Sequence, residues 1–188
     1  KNFAETTPMQ EISGAWEVAF DPKWGGPEKV TFDALQDWSK RPESGIKYYS
    51  GIATYRKTFA SDPSKIQNSK FKIFLDLGTV HDMARVKLNG KDLGVVWCAP
   101  WQVEITDALK AGDNQLEIEV ANRWPNRMIG DKQPADANAR EVQALPGFLG
   151  GQKIKTGRYT YCTHNPYQPN SPLLPSGLLG PVSISTTK

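Results

Sequence analysis

Apolar and polar residues alternate with a period of two through much of this chain, and that period belongs to strands with one face buried. In GAWEVAF, Trp16, Val18 and Phe20 fall on one face and Ala15, Glu17 and Ala19 on the other. FKIFLDL groups Phe71, Ile73, Leu75 and Leu77, WQVEIT directs Trp101, Val103 and Ile105 inward, and QLEIEV sets Leu116, Ile118 and Val120 against Gln115, Glu117 and Glu119. Two late runs, KIKTGRYTY and GPVSIS, read as further strands. Between RVKL and KDLGVVW stands Asn89-Gly90, the pair favoured in a two-residue type I′ hairpin loop because both positions need positive φ. Such a loop sets Leu88 opposite Lys91, Val86 opposite Leu93 and Ala84 opposite Val95 on the inner face, with Lys87 opposite Asp92 outside. In that register Trp97 lies inward, opposite Asp82, and Trp101 shares its parity, so both indoles are expected to plug the core's edge around the corner at Cys98, Ala99 and Pro100.

Elsewhere the period fails. TDALKAGDN offers Thr106 or Asp107 as a cap, one apolar turn and a Gly-Asp-Asn reversal. Residues 21–45 read as a short helix or as a strand and turn, 131–153 as an excursion outside the sheets, and 163–175, with four prolines, as a loop. No repeat of fixed period occurs, and no helix longer than a few turns is supported. Eight or nine strands with turn-rich connections predict an all-β, two-sheet sandwich with long loops, jelly-roll in topology, because one sheet alone would leave its apolar face wet.

Composition narrows the function more than the fold. With 188 residues the chain suits one domain, 1–188. A net charge of +3 without basic clustering argues against a nucleic-acid partner or an anionic membrane surface. The apolar stretch 93–101, broken by Gly94 and Pro100, is far short of the ~20 residues a membrane helix requires. The chain opens at Lys1 and shows no signal sequence, so it is expected to be a piece of a longer protein. Cys98 and Cys162 match no zinc or redox spacing; they are read either as a disulfide or as two separate, largely buried thiols.

HExxH, GxSxG, GxGxxG and P-loop patterns are missing, and His81 and His164 lack ligand-spaced partners. Asp76 and Asp82 bracket a strand junction but read as solvated surface charges. No catalytic residue and no cofactor is assigned. What remains is the equipment for gripping sugars, in which flat rings cover the apolar face of a pyranose while amides and guanidinium groups meet its hydroxyls. Trp124, Asn126 and Arg127, in RWPNR straight after a strand, form the first candidate ligand surface, on a loop. Tyr159, Tyr161 and His164 form a second, and Trp24 in DPKWGGP is a third.

The segments YRKTF at 55–59, LDLGTVHDMARVKLNGKDLGVVWCAPWQVEITDALKAGDNQLEIEVAN at 75–122 and the closing SGLLGPVSIS resemble the galactose-binding-like, sugar-binding β-sandwich domain of glycoside hydrolase family 2. NRWPNRMIGD and SGLLGP resemble the accessory sandwich of the family 106 α-L-rhamnosidases. The resemblance implies a jelly-roll accessory domain, the C-terminal part of a multidomain extracytoplasmic enzyme of α-L-rhamnosidase or β-galactosidase type, periplasmic or secreted. Its partners would be carbohydrate, the catalytic domain of the same polypeptide, or both. It also implies a structural calcium at a sheet edge, with ligands that sequence does not assign. A (β/α)₈ barrel needs about 250 residues, so this chain cannot hold sandwich and catalytic barrel together. An adhesive or protein-interaction module of a cell-surface protein is the alternative.

Overall fold

The structure, a computed structural model, describes residues 5–62, 71–133 and 164–187. Within them the chain forms twelve strands and only short helical turns. The strands are β1 (Thr6–Glu11), β2 (Trp16–Phe20), β3 (Val30–Phe32), β4 (Ile52–Ser61), β5 (Ile73–Asp76), β6 (Thr79–His81), β7 (Met83–Leu88), β8 (Lys91–Val96), β9 (Gln102–Glu104), β10 (Gly112–Ala121), β11 (Gly177–Gly180) and β12 (Ser183–Thr187). Two short helices, α1 (Ser44–Lys47) and α2 (Pro125–Gly130), join them. Six strands pair in the order β3-β2-β4-β10-β7-β8, four in the order β1-β12-β5-β9, and β11 pairs with β6. This is the predicted two-sheet β-sandwich.

Period-two alternation becomes burial directly. Trp16, Val18 and Phe20 of β2, Ala53 and Tyr55 of β4, Ala84, Val86 and Leu88 of β7, and Leu116, Ile118 and Val120 of β10 are buried. Ile73 and Leu75 of β5 and Ile184 of β12 belong to the same apolar cluster. Each buried aliphatic side chain contributes about 1.5–3 kcal/mol relative to exposure. Buried rings meet edge to face, as in Phe20 with Tyr49 at 4.9 Å and Phe20 with Trp38 at 5.2 Å. Ile105 is buried, and Trp101 and Val103 pack partly buried against the cluster, close to expectation. Phe71 departs from it: β5 begins at Ile73, leaving Phe71 49% exposed.

The Asn-Gly hairpin forms, with Asn89 at φ 52° and Gly90 at φ 81°. Leu88 faces Lys91 and Lys87 faces Asp92 as predicted, but the register then shifts and Ala84 meets Val96 rather than Val95. Gly94 lies in the extra turn of chain at φ 91°, the signature of a bulge. One added residue reverses the parity of all that follows. Val95 and Trp97, expected inward, are therefore 56% and 71% exposed, and Trp97 is not part of the core. Cys98, expected to be largely buried, is exposed as well, and Cys162 lies outside the described residues.

The Gly-x-Asn reversal owes its form to a buried carboxamide. Asn114, fully buried, accepts from the Lys110 N–H at 2.9 Å and from Asn89 Nδ2 at 2.8 Å, and donates to the Lys110 and Gly112 carbonyls. Asn89 in turn donates to the Ala108 carbonyl and accepts from the Gln115 N–H. The two side chains thus staple the hairpin tip to the turn before β10. Asn114→Ala strands several buried groups at once and is expected to lower stability by about 3 kcal/mol in urea unfolding, whereas Thr58→Ala on the outer face stays within about 0.5 kcal/mol.

Candidate functional site

NRWPNR straddles the end of β10 and the start of α2, with Pro125 in the first helical turn where its missing N–H costs nothing. It was expected on a loop; the short helix explains why its polar groups turn inward. Asn126 is 1% exposed: Nδ2 donates to the Leu174 carbonyl at 2.7 Å and to Ser176 Oγ at 3.1 Å, while Oδ1 accepts from the Leu174 N–H at 2.7 Å. Asn122 accepts from the Gly51 N–H and donates to the Tyr49 carbonyl and Ser176 Oγ. Arg127, 3% exposed, pairs through Nε and Nη2 with Asp131 Oδ1 one helical turn on, and Nη1 reaches the Tyr48 carbonyl. Arg123 points outward and pairs with Asp82 at 2.8 Å. Trp124 is left 63% exposed on a turn clamped from beneath.

The other candidates divide. Trp24 is 50% exposed on a 3₁₀ turn capped by Asp21, and it lies at the same end of the six-stranded sheet as Trp124 because β2 ends there. The loop carrying exposed His164 is drawn to α2 by Asn165, which donates to the Met128 carbonyl, and by Gln133, which donates to the Pro169 carbonyl. Tyr159 and Tyr161 lie outside the described residues. Asp76, expected to be solvated, is half-buried and accepts from the Gly78 N–H and from Gln102 Nε2. Among the described residues no three His, Cys, Asp or Glu side chains come together as a metal site, so no chemistry is assigned to a calcium here.

The outer face of the six-stranded sheet carries the polar chemistry. Lys29 pairs with Glu17, Arg56 with Glu117 at 3.0 Å, Lys87 with Glu117 at 2.9 Å and Glu119 at 2.8 Å, and Arg85 with Asp92 at 2.5 Å. Lys87 thus lies opposite Asp92 along the backbone, yet its ammonium turns to β10. Over this lattice opens a hollow of about 560 Å³, lined among others by Glu17, Arg56, Thr58, Lys87, Gln115 and Glu117. Sequence parity places each of these side chains outward, but only the strand order shows that they are neighbours. Lys57 reaches the rim from inner-face parity: its ammonium lies 5.6 Å from the buried Trp16 ring and donates to the Ala15 carbonyl, and partial burial lowers its pKa.

Glycoside cleavage by two carboxyl groups needs one whose pKa is raised so that it can donate a proton. The shifts here run the other way. The Lys87 ammonium lowers Glu117, the Arg41 guanidinium lowers Glu43 and the Lys72 ammonium lowers Glu104. Asp92 is held down to about 2, first by the Arg85 guanidinium and then by the Gly94 N–H. These four carboxyl groups are therefore held as carboxylates by their cationic neighbours.

A two-sheet sandwich of six-stranded and four-stranded layers, with a polar, hollowed outer face on the larger sheet, is the architecture of the galactose-binding-like β-domains. Residues 43–161 match the glycosyl hydrolase 2 galactose-binding domain-like family, and the chain belongs to that family. It is 41% identical over 178 residues to a protein of Formosa agariphila provisionally named a beta-glucuronidase, covering 93% of this chain and 15% of that one. The structure of a rhamnosidase from Novosphingobium sp. PP1Y superposes with a TM-score of 0.81 at 35% identity, over 97% of this chain and 15% of that. An apo β-glucuronidase from Ruminococcus gnavus shares the fold, with a TM-score of 0.58 at 20% identity over 96% of this chain. The chain spans about 15% of the length of the first two. Among the described residues no helix is long and apolar enough to cross a membrane.

Two outcomes follow from this geometry. Arg127→Ala leaves Asp131 charged and nearly enclosed, and is expected to cost roughly 3–5 kcal/mol in denaturant unfolding, against less than about 0.5 kcal/mol for Trp124→Ala. Because Asp92 and Glu117 have folded-state pKa values below their unfolded ones, their contribution is complete above pH ~4.5 and disappears as pH falls toward 2. Urea midpoints measured from pH 5 to 2 should therefore decline, and Asp92→Asn should flatten part of the decline.

Proposed function

We propose that residues 1–188 form one accessory, non-catalytic sandwich domain within a larger extracytoplasmic glycoside hydrolase, placed toward its C-terminus and packed beside a catalytic domain of the same polypeptide. The observation that carries this reading is that more than nine-tenths of the chain aligns with about 15% of each of two longer relatives. Those relatives are named for cleaving rhamnosides and glucuronides, which makes complex glycans the substrate class of the complete protein. The cation-paired Glu43, Asp92, Glu104 and Glu117 fit a supporting role, since each is held as a carboxylate. In a release assay with aryl α-L-rhamnosides and β-D-glucuronides, the complete gene product is expected to turn over and residues 1–188 alone to be inert. Turnover by the isolated chain would overturn the reading.

The hollow on the outer face supports direct, weak carbohydrate contact as a second role. Arg56, Lys87, Gln115 and Thr58 offer donors and acceptors to hydroxyl groups, and aromatic groups beyond the hollow at Trp124, Trp24 and His164 are the alternative contacts. On a glycan affinity gel run with the chain, Arg56→Ala with Lys87→Ala is expected to weaken retention about tenfold, the worth of one charge-assisted hydrogen bond. Retention lost instead on Trp124→Ala would move the contact to that residue.

A further inference from the structure

The outer face of the six-stranded sheet changes character along the strands. Its middle rows, the hollow included, are charged and polar, but its last row is apolar. Ile52 of β4 pairs with Ala121 of β10, and Ala121 with Met83 of β7. Ala84 pairs with Val96, so Trp97, one residue further along, comes level with Met83. Ala53, Val120 and Ala84 are buried and Val96 packs against the core, which gives Ile52, Ala121, Met83 and Trp97 the solvent-facing parity. Exposure agrees: 56% for Ile52, 48% for Met83, 71% for Trp97 and 56% for Val95, which lies beside Arg85 in the next row. Three residues beyond Ala121, Trp124 adds a second indole, 63% exposed.

We propose that this strip, made of Ile52, Met83, Val95, Trp97 and Trp124, is the surface on which the chain docks against its catalytic neighbour in the same polypeptide. The inference rests on the proposed placement within a larger hydrolase. Three of its five side chains, Ile52, Met83 and Val95, are aliphatic and offer no hydrogen-bonding group to a hydroxyl, so the strip as a whole suits an apolar protein surface better than sugar. Its exposed apolar area is on the order of 500 Å². It matches one side of an interdomain contact within a chain, where covalent linkage supplies an effective concentration in the millimolar range. The relatives that match this chain over more than nine-tenths of its length have some six-sevenths of their own length outside the match, enough to supply such a neighbour. The clamp beneath α2 completes the picture: Asn126 and Arg127 fix the turn, so Trp124 loses little conformational freedom on burial.

Hydroxyl-radical footprinting of the complete gene product and of residues 1–188 alone, both at low micromolar concentration, tests the docking. Met83, Trp97 and Trp124 should be oxidised several-fold more slowly in the complete protein. Phe71, 49% exposed at the opposite end of the sandwich, serves as the control and should not change. Met83→Asp with Trp97→Asp should leave the melting temperature of the isolated chain unchanged, since both side chains face solvent, while enlarging the complete protein in small-angle scattering. Equal oxidation in the two forms overturns the proposal: equally fast, nothing docks; equally slow, the chain covers the strip itself. Protection of the isolated chain that grows with its concentration, or that appears on adding soluble glycan, assigns the strip to a second copy or to sugar and overturns it too. A complete protein that cleaves aryl glycosides yet leaves the three residues reactive refutes the docking surface alone; protection in a protein without glycosidase activity refutes only the functional reading.

Discussion

A backbone segment that enters a protein interior outside the two large sheets must find partners for its N–H and C=O groups, and the stretch 174–178 meets much of that demand with side chains. Asn126 takes both backbone groups of Leu174, Asp37 accepts from the Ser176 N–H, the Tyr55 hydroxyl accepts from the Leu178 N–H, and the main-chain N–H of Trp38 donates to the Ser176 carbonyl. The Tyr55 hydroxyl also accepts from Trp38 Nε1 at 2.6 Å, and burial raises its pKa far above that of a free phenol. Loop 37–40, β4, β10 and α2 are thereby referred to one strap. Each bond contributes about 1 kcal/mol net, but losing any partner leaves a buried group bare at about 1–3 kcal/mol. The penalty for disorder, more than the gain from order, fixes this end of the molecule.

That constraint gives NRWPNR a physical reading. Two asparagines four residues apart, with proline in the first helical turn between them, put both amides on one side of a short turn, where Ser176 Oγ receives a bond from each. Arg127 closes the far side against Asp131 and the Tyr48 carbonyl. A motif of asparagine, arginine and tryptophan looks like ligand-gripping chemistry in a linear sequence. Folded, its polar half is an internal clamp, and its apolar half is presented outward on a rigid base.

The core was legible because burial on a sheet follows a period of two, and Trp16, Val18, Phe20, Leu116, Ile118 and Val120 kept that period without interruption. Register near the hairpin loop was legible for the same reason, with Asn89-Gly90 as its anchor. It ceased to be legible at Gly94, since a bulge leaves no mark in a hydropathy pattern beyond a glycine that many strands tolerate. One residue was enough to move Trp97 from expected core to solvent. The lattice of Arg56, Lys87, Glu117 and Glu119 escaped for a different reason. Its members alternate properly in sequence, but their adjacency depends on β10 lying between β4 and β7, a long-range order that local patterns do not carry. Asn114 was invisible on polarity alone, because a buried carboxamide and a surface one are the same letter.

The two halves of the outer face divide the work by physics. Exposed ion pairs contribute little to stability, about 0–1 kcal/mol each, and weaken with salt. What the lattice does is hold a broad face hydrated and resistant to edge-on or face-on association, since alternating charges meet no uniform complement on a partner. The apolar row at the β4–β10–β7 end lacks that protection, and water gains by its coverage. A domain with one guarded and one unguarded region has a defined orientation toward whatever adjoins it. With Trp97 carried outward by the bulge and Trp124 by the clamp, both indoles lie at the unguarded end. The two local departures from simple strand geometry thus converge on that end, leaving the hollow above Arg56 and Lys87 open to solution.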